Sequence, residues 1–82
     1  MKPDYVDAYY YRGFAKYVIN DHQGVVADFS KSISLRPDDA IVYNKRGIAY
    51  LMLNQKSKAL ADFKRAIELG YSVSQEALDL CG

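Results

Sequence analysis

Slid along itself by 34 residues, this chain repeats. Residues 37–70 laid over residues 3–36 give 34 ungapped pairs, of which twelve are identical: Pro3/Pro37, Asp4/Asp38, Tyr9/Tyr43, Arg12/Arg46, Gly13/Gly47, Ala15/Ala49, Asn20/Asn54, Ala27/Ala61, Asp28/Asp62, Phe29/Phe63, Ile33/Ile67 and Leu35/Leu69. Self-similarity at a period in the thirties marks an array in which each unit is one supersecondary element and buries its apolar face only against its neighbours. The expected organisation is one domain over 1–82, with a first unit at about 3–36, a second at about 37–70 and a short helix at about 72–81.

Each unit reads as two helices. In the second, Pro37-Asp38-Asp39 supplies a break and a carboxylate beside the first free N–H groups, and Ile41, Ile48, Ala49, Leu51, Met52 and Leu53 then recur at helical spacing. Asn54-Gln55-Lys56-Ser57 makes a polar turn, after which Ala59, Leu60, Phe63, Ala66 and Ile67 form a single stripe that Gly70 is placed to end. The first unit follows suit, with a helix from about Tyr5 to Ile19, a turn at Asn20-Asp21-His22, and Val25, Val26, Phe29 and Ile33 on one face of a helix ending before Pro37. A strand reading fails, because the apolar spacing is three and four rather than two.

The repeated phrase Tyr-x-x-Arg-Gly-x-Ala carries its own physics. A mid-helix glycine costs about 1 kcal/mol relative to alanine, so Gly13 and Gly47 point to a place where two helices cross with no room for a side chain. Ala15, Ala49, Ala27 and Ala61 are read as serving the same close approach, with Tyr9 and Tyr43 filling the space between helices. Asp28 lies 16 residues after Arg12 and Asp62 lies 16 after Arg46, which allows one ion pair across each hairpin. Local pairing of Asp28 with Lys31 and of Asp62 with Arg65 is the alternative.

In the last stretch, Ser72 or Ser74 can cap a helix on which Val73, Ala77, Leu78 and Cys81 face one way and Gln75, Glu76 and Asp79 the other. It is either a capping helix over the end of the second hairpin or the first helix of a third, truncated repeat.

Charge and chemistry exclude several classes of function. The formal net charge is +1 with both signs interleaved, so no footprint for nucleic acid or an anionic membrane is visible. No apolar run is long enough to cross a bilayer or has the form of a signal peptide, and a cytoplasmic setting is the default expectation. The single cysteine, Cys81, has no partner for an intramolecular disulfide, and the single histidine, His22, lies far from it in the chain. His22 beside Asp21 reads as solvated turn chemistry, because no further ligands converge by spacing. No phosphate loop, paired catalytic carboxylates or nucleophile motif appears. A non-enzyme with no cofactor and no metal is expected.

The residues described above resemble those of the tetratricopeptide repeat, a 34-residue pattern with an aromatic, then Leu-Gly, a Tyr, and later Ala, Phe and Pro. Tyr43, Gly47, Tyr50, Ala59 and Phe63 stand at those positions in the second unit, and Tyr9, Gly13, Phe29 and Pro37 in the first. Arg12 and Arg46 depart from the usual Leu, Lys16 from the Tyr, Val25 from the Ala, and Tyr71 takes the place of the second proline. The resemblance covers residues 3–70 and implies an all-α fold, a right-handed superhelical array of antiparallel helical hairpins with about five helices.

It also implies a concave groove, lined by the first helix of each hairpin, that takes a peptide segment of another protein. Carried over by position, its lining is Asp7, Tyr10, Tyr11, Phe14 and Tyr17 in the first unit and Ile41, Asn44, Lys45, Ile48 and Leu51 in the second. Some members of the family clamp a partner's C-terminal carboxylate with Lys, Asn and Arg side chains. Here Tyr10 and Phe14 occupy the places of the first Lys and Asn, and Lys45 that of the second repeat's Asn, so the clamp is absent.

What remains is aromatic. Successive helical residues diverge by about 100°, so Tyr9, Tyr10 and Tyr11 cannot all enter one core and at least one must face outward. Tyr10, Phe14 and Tyr17, at i, i+4 and i+7, are read as a contact stripe, against the plainer reading that such rings line helix edges. The functional expectation is a non-catalytic interaction module that binds a protein or peptide segment in the groove. The alternative is a self-associating scaffold segment that forms homo-oligomers through the groove or the array end. A bare scaffold segment with no binding role is the third reading.

Overall fold

The computed structural model describes residues 3–82, with side chains from Tyr5 onward. Five helices follow one another: α1 (Pro3–Val18), α2 (His22–Leu35), α3 (Ala40–Met52), α4 (Lys56–Glu68) and α5 (Gln75–Cys81). No strand occurs among the described residues. None of these helices is long and apolar enough to cross a membrane.

The helix ends follow local chemistry. Asp21 caps α2 by accepting from the Gly24 N–H at 3.0 Å, Asp39 caps α3 through the Ile41 N–H at 3.1 Å, and Ser74, rather than Ser72, caps α5 through the Ala77 N–H at 3.1 Å. Gln55 precedes α4 without a side-chain cap. The turn between α3 and α4 is tighter than the polar run suggested, because Lys56 and Ser57 already belong to α4. Asn20 and Asn54, an identical pair of the 34-residue offset, hold the left-handed conformation after α1 and α3, with φ of 62° and 61°.

Helices α1 with α2, and α3 with α4, pack as hairpins, and α2 packs on α3 to join them. Within the first layer α1 touches α3 and α3 touches α5, whereas α2 and α4 do not touch. The array therefore bends toward the α1–α3–α5 side.

Glycine fixes the crossing inside each hairpin. A Cβ on Gly13 would stand 2.5 Å from the Phe29 ring, and one on Gly47 would stand 2.7 Å from the Phe63 ring. Both phenylalanines are fully buried. The alanines do not share this role as a set: Ala49 is fully buried, but Ala15, Ala27 and Ala61 lie on the surface, so close approach rests on the glycines. Val25, Phe29, Val42 and Ala49 form a core cluster spanning both hairpins, with Tyr10, Phe14, Tyr17, Val26 and Ile33 packed around it.

The interhelical ion pairs form as the spacing allows. Arg12 donates to Asp28 through Nε and Nη2 at 2.9 and 2.8 Å, and Arg46 donates to Asp62 in the same two-pronged way at 2.7 and 2.7 Å. Lys16 adds a second cation at 3.1 Å from Asp28. Local pairing with Arg65 is not what Asp62 adopts, since Arg65 instead reaches Glu68 at 3.1 Å. The Arg46 guanidinium also donates through Nη1 to Ser30 of α2 at 3.0 Å, so one side chain ties three helices.

Candidate functional site

The surface of interest is the inner face of α1 and α3. It is built on the core rather than beside it. The Phe14 ring meets the buried Phe29 edge-on at 5.4 Å, and Tyr10 meets Phe14 at 4.8 Å and Tyr11 at 5.4 Å, also edge-on. Such edge-to-face pairs contribute about 0.5–1.5 kcal/mol beyond their buried area. Tyr10, Phe14 and Tyr17 are thus half core and half surface: each packs on the cluster and leaves part of its ring open. The number of rings that suggested a contact stripe is partly absorbed by packing.

Tyr11 is the outward tyrosine of the run, 67% exposed, while Tyr9 and Tyr10 are half-buried. Asp7 and Ile41 are exposed, Lys45, Ile48 and Leu51 are half-buried, and Asn44 is buried, with little of its side chain left to offer a ligand. Burial, with the Asp39 carboxylate nearby, raises the Tyr10 hydroxyl above the usual tyrosine range and keeps it a neutral donor.

Lys45 bridges the two inner helices. Its ammonium lies 4.7 Å from the centroid of the Tyr17 ring, a cation–π contact between α3 and α1. Among the described residues it forms no salt bridge. Lys45 is therefore a cation held in place by an aromatic face, with its charge uncompensated by a carboxylate. The inner face offers apolar rings and aliphatic side chains around one such charge. This suits recognition by contact area with one polar anchor.

Three contacts were not foreseen from the sequence. Lys16 lies one turn after Arg12 on the same side of α1, a spacing that lets both reach Asp28. The Ser30 contact of Arg46 joins hairpins, and no pattern within one repeat announces it. The Lys45–Tyr17 contact likewise crosses the two units.

The depression at the α3–α4 turn, lined by Asn54, Gln55, Lys56, Ser57 and Lys58, is open to solvent and lies away from the inner face. Among the described residues no group of three or more His, Cys, Asp or Glu side chains is placed to hold a metal. His22 opens α2 rather than sitting in the turn, and its Nδ1 is enclosed with no hydrogen-bond partner among the described residues. Burial raises the Cys81 thiol above its ordinary value, the opposite of what a reactive thiolate needs.

The tetratricopeptide repeat family model matches residues 40–69, which span α3, the α3–α4 turn, α4 and the residue after it. No curated protein and no solved structure matches the chain. Tetratricopeptide repeats in general mediate protein–protein interactions. Residues 40–69 thus match one tetratricopeptide repeat, and the five helices in antiparallel hairpins fit a tetratricopeptide-repeat-like array.

Proposed function

We propose that the chain is a non-catalytic interaction module whose inner face, formed by α1 and α3, binds a peptide segment of another protein. The observation that carries this reading is the half-open aromatic stripe of Tyr10, Phe14 and Tyr17, anchored on the core and lying on the side toward which the array bends. Preformed rings that need no reordering contribute contact area at low entropic cost. Exposed Ile41 and the half-buried Lys45, Ile48 and Leu51 continue the surface onto α3. Asp7 and Tyr11 frame its α1 edge, and Asn44 supports it from within. Residues 1–82 act as one unit in this reading.

Phe14→Ala is a poor probe, because Phe14 packs on Phe29 and its loss weakens the fold as well as the surface. Ile41→Ser and Lys45→Glu touch the inner face with little cost to the core. A peptide selected against the full chain from a random library should lose about tenfold in affinity with either change, the worth of one good contact. It should keep its affinity for Ala61→Ser, a change on the surface of α4. Selected peptides indifferent to both inner-face changes would overturn the assignment.

Self-association is the second reading, favoured by the exposed apolar side chains of Tyr11, Val18, Ile19 and Met52. Sedimentation over a wide concentration range separates the two. A dimer abolished by Ile41→Ser would make another copy the occupant of the inner face, whereas a monomer throughout leaves that face for a peptide.

A further inference from the structure

The 34-residue offset shows one helix face in two settings. On α3, Val42 and Ala49 are fully buried in one cluster with Val25 and Phe29 of α2, and Arg46 between them reaches Ser30 of α2 at 3.0 Å. On α1 the same positions are Ala8, Ala15 and Arg12, and all three are exposed. The Arg12 side chain is 59% exposed against 17% for Arg46. Tyr11 and Val18, also exposed, flank this face.

We infer that the outer face of α1, centred on Ala8, Arg12 and Ala15, is a second docking surface, distinct from the inner face, for a partner helix that sets a hydroxyl or carboxylate opposite Arg12 between apolar side chains. The internal repeat supplies the template: on α3 this face is covered by a helix, and its arginine is met by a hydroxyl. Arg12 is already oriented, with Nε and Nη2 committed to Asp28 and its guanidinium 5.6 Å from the centroid of the Tyr9 ring, and it has no third hydrogen-bond partner among the described residues to match Ser30. Two cations, Arg12 and Lys16, share the single Asp28 carboxylate, so among the described residues the seat carries one surplus positive charge, whereas Arg46 and Asp62 balance. Alanine at the two flanking positions lets a helix backbone approach closely.

A second copy stacked head to tail does not fit this seat. Its counterpart of Ser30 is Lys64, which would set a positive charge against Arg12, and its α4 is already packed by α5. The occupant is a different helix, acidic or hydroxyl-bearing at its centre.

The test uses the full chain, isotope-labelled for NMR, and a synthetic α2 peptide (residues 22–36) stapled into a helix, with Ser30→Asp and Ser30→Lys versions. The amides of Ala8, Arg12 and Ala15 should shift, and the Ser30→Asp peptide should bind about tenfold more tightly than the Ser30→Lys peptide, as expected for one charge-assisted contact. Ala8→Arg, a change at an exposed position, should abolish binding while leaving the melting midpoint unchanged. Arg12→Gln should erase the difference between the two peptides. The inference is overturned if none of the peptides binds, if the affinity order is absent, or if shifts fall on the inner face. It is equally overturned if the outer-face amides shift with protein concentration alone, which would make a second copy the occupant.

Discussion

Glycine and asparagine do more for this fold than their size suggests, and each makes a measurable claim. The Phe63 ring occupies the space in which a Gly47 side chain would grow, and Phe63 is itself fully buried, so the ring has nowhere to retreat. Gly47→Ala should lower stability by about 1–2 kcal/mol, the usual cost of overpacking less the gain in helix propensity, read from the urea midpoint. Gly13→Ala should behave alike against Phe29. Asn54, at φ 61°, tolerates the left-handed turn that ends α3. Asn54→Gly should hold or raise the melting temperature, and Asn54→Val should cost about 1–2 kcal/mol. These roles were legible in the sequence because each residue appears twice at the same offset, and repetition separates a requirement from an accident. The alanines were misread for the converse reason: recurrence of Ala15, Ala27 and Ala61 says that a position is small, and small residues serve as well on a surface as at a crossing.

Between helices, the two ion pairs look identical in sequence and differ in setting. Asp28 keeps Lys16 when Arg12 is removed, but Asp62 has Arg46 as its cation and both are largely sequestered. Arg46→Met should therefore destabilise by about 3 kcal/mol, the cost of leaving a buried charge unpaired. Arg12→Met should cost far less; denaturant titration of both variants gives the comparison. The hydrogen bonds from Arg12, and then from Lys16, hold the Asp28 carboxyl below the usual carboxylate range despite its burial. A depressed acid contributes stability above its unfolded pKa of about 4 and loses it as pH falls through the lower folded value. Stability should decline as the solution is acidified below about pH 4, and Asp28→Asn should flatten that part of the profile. The helices and their pairing were readable from period and spacing. The contacts between hairpins were not, because Ser30 meets Arg46 and Lys45 meets Tyr17 only once the two units are stacked.

Across the whole molecule, stability is graded. The core cluster draws on α2 and α3, and α4 adds the buried Ala59, Phe63 and Ala66, whereas α5 has seven residues and buries none of them fully. Amide exchange should be slowest in α2, α3 and α4 and fastest in α5, a pattern that native-state hydrogen exchange would display directly. The inner face was legible only as a list of positions: the sequence placed the rings on one stripe but could not divide their surface between core and solvent, and the lysine resting on Tyr17 was invisible without the second unit beside the first. The single Arg46 side chain that grips Ser30 and Asp62 has one more consequence. In a one-dimensional lattice description of a repeat array, it belongs to the coupling between neighbours and not to the intrinsic stability of either. Losing it lets each hairpin sample its open state without the other's consent, so the melting curve widens as well as moving to lower temperature.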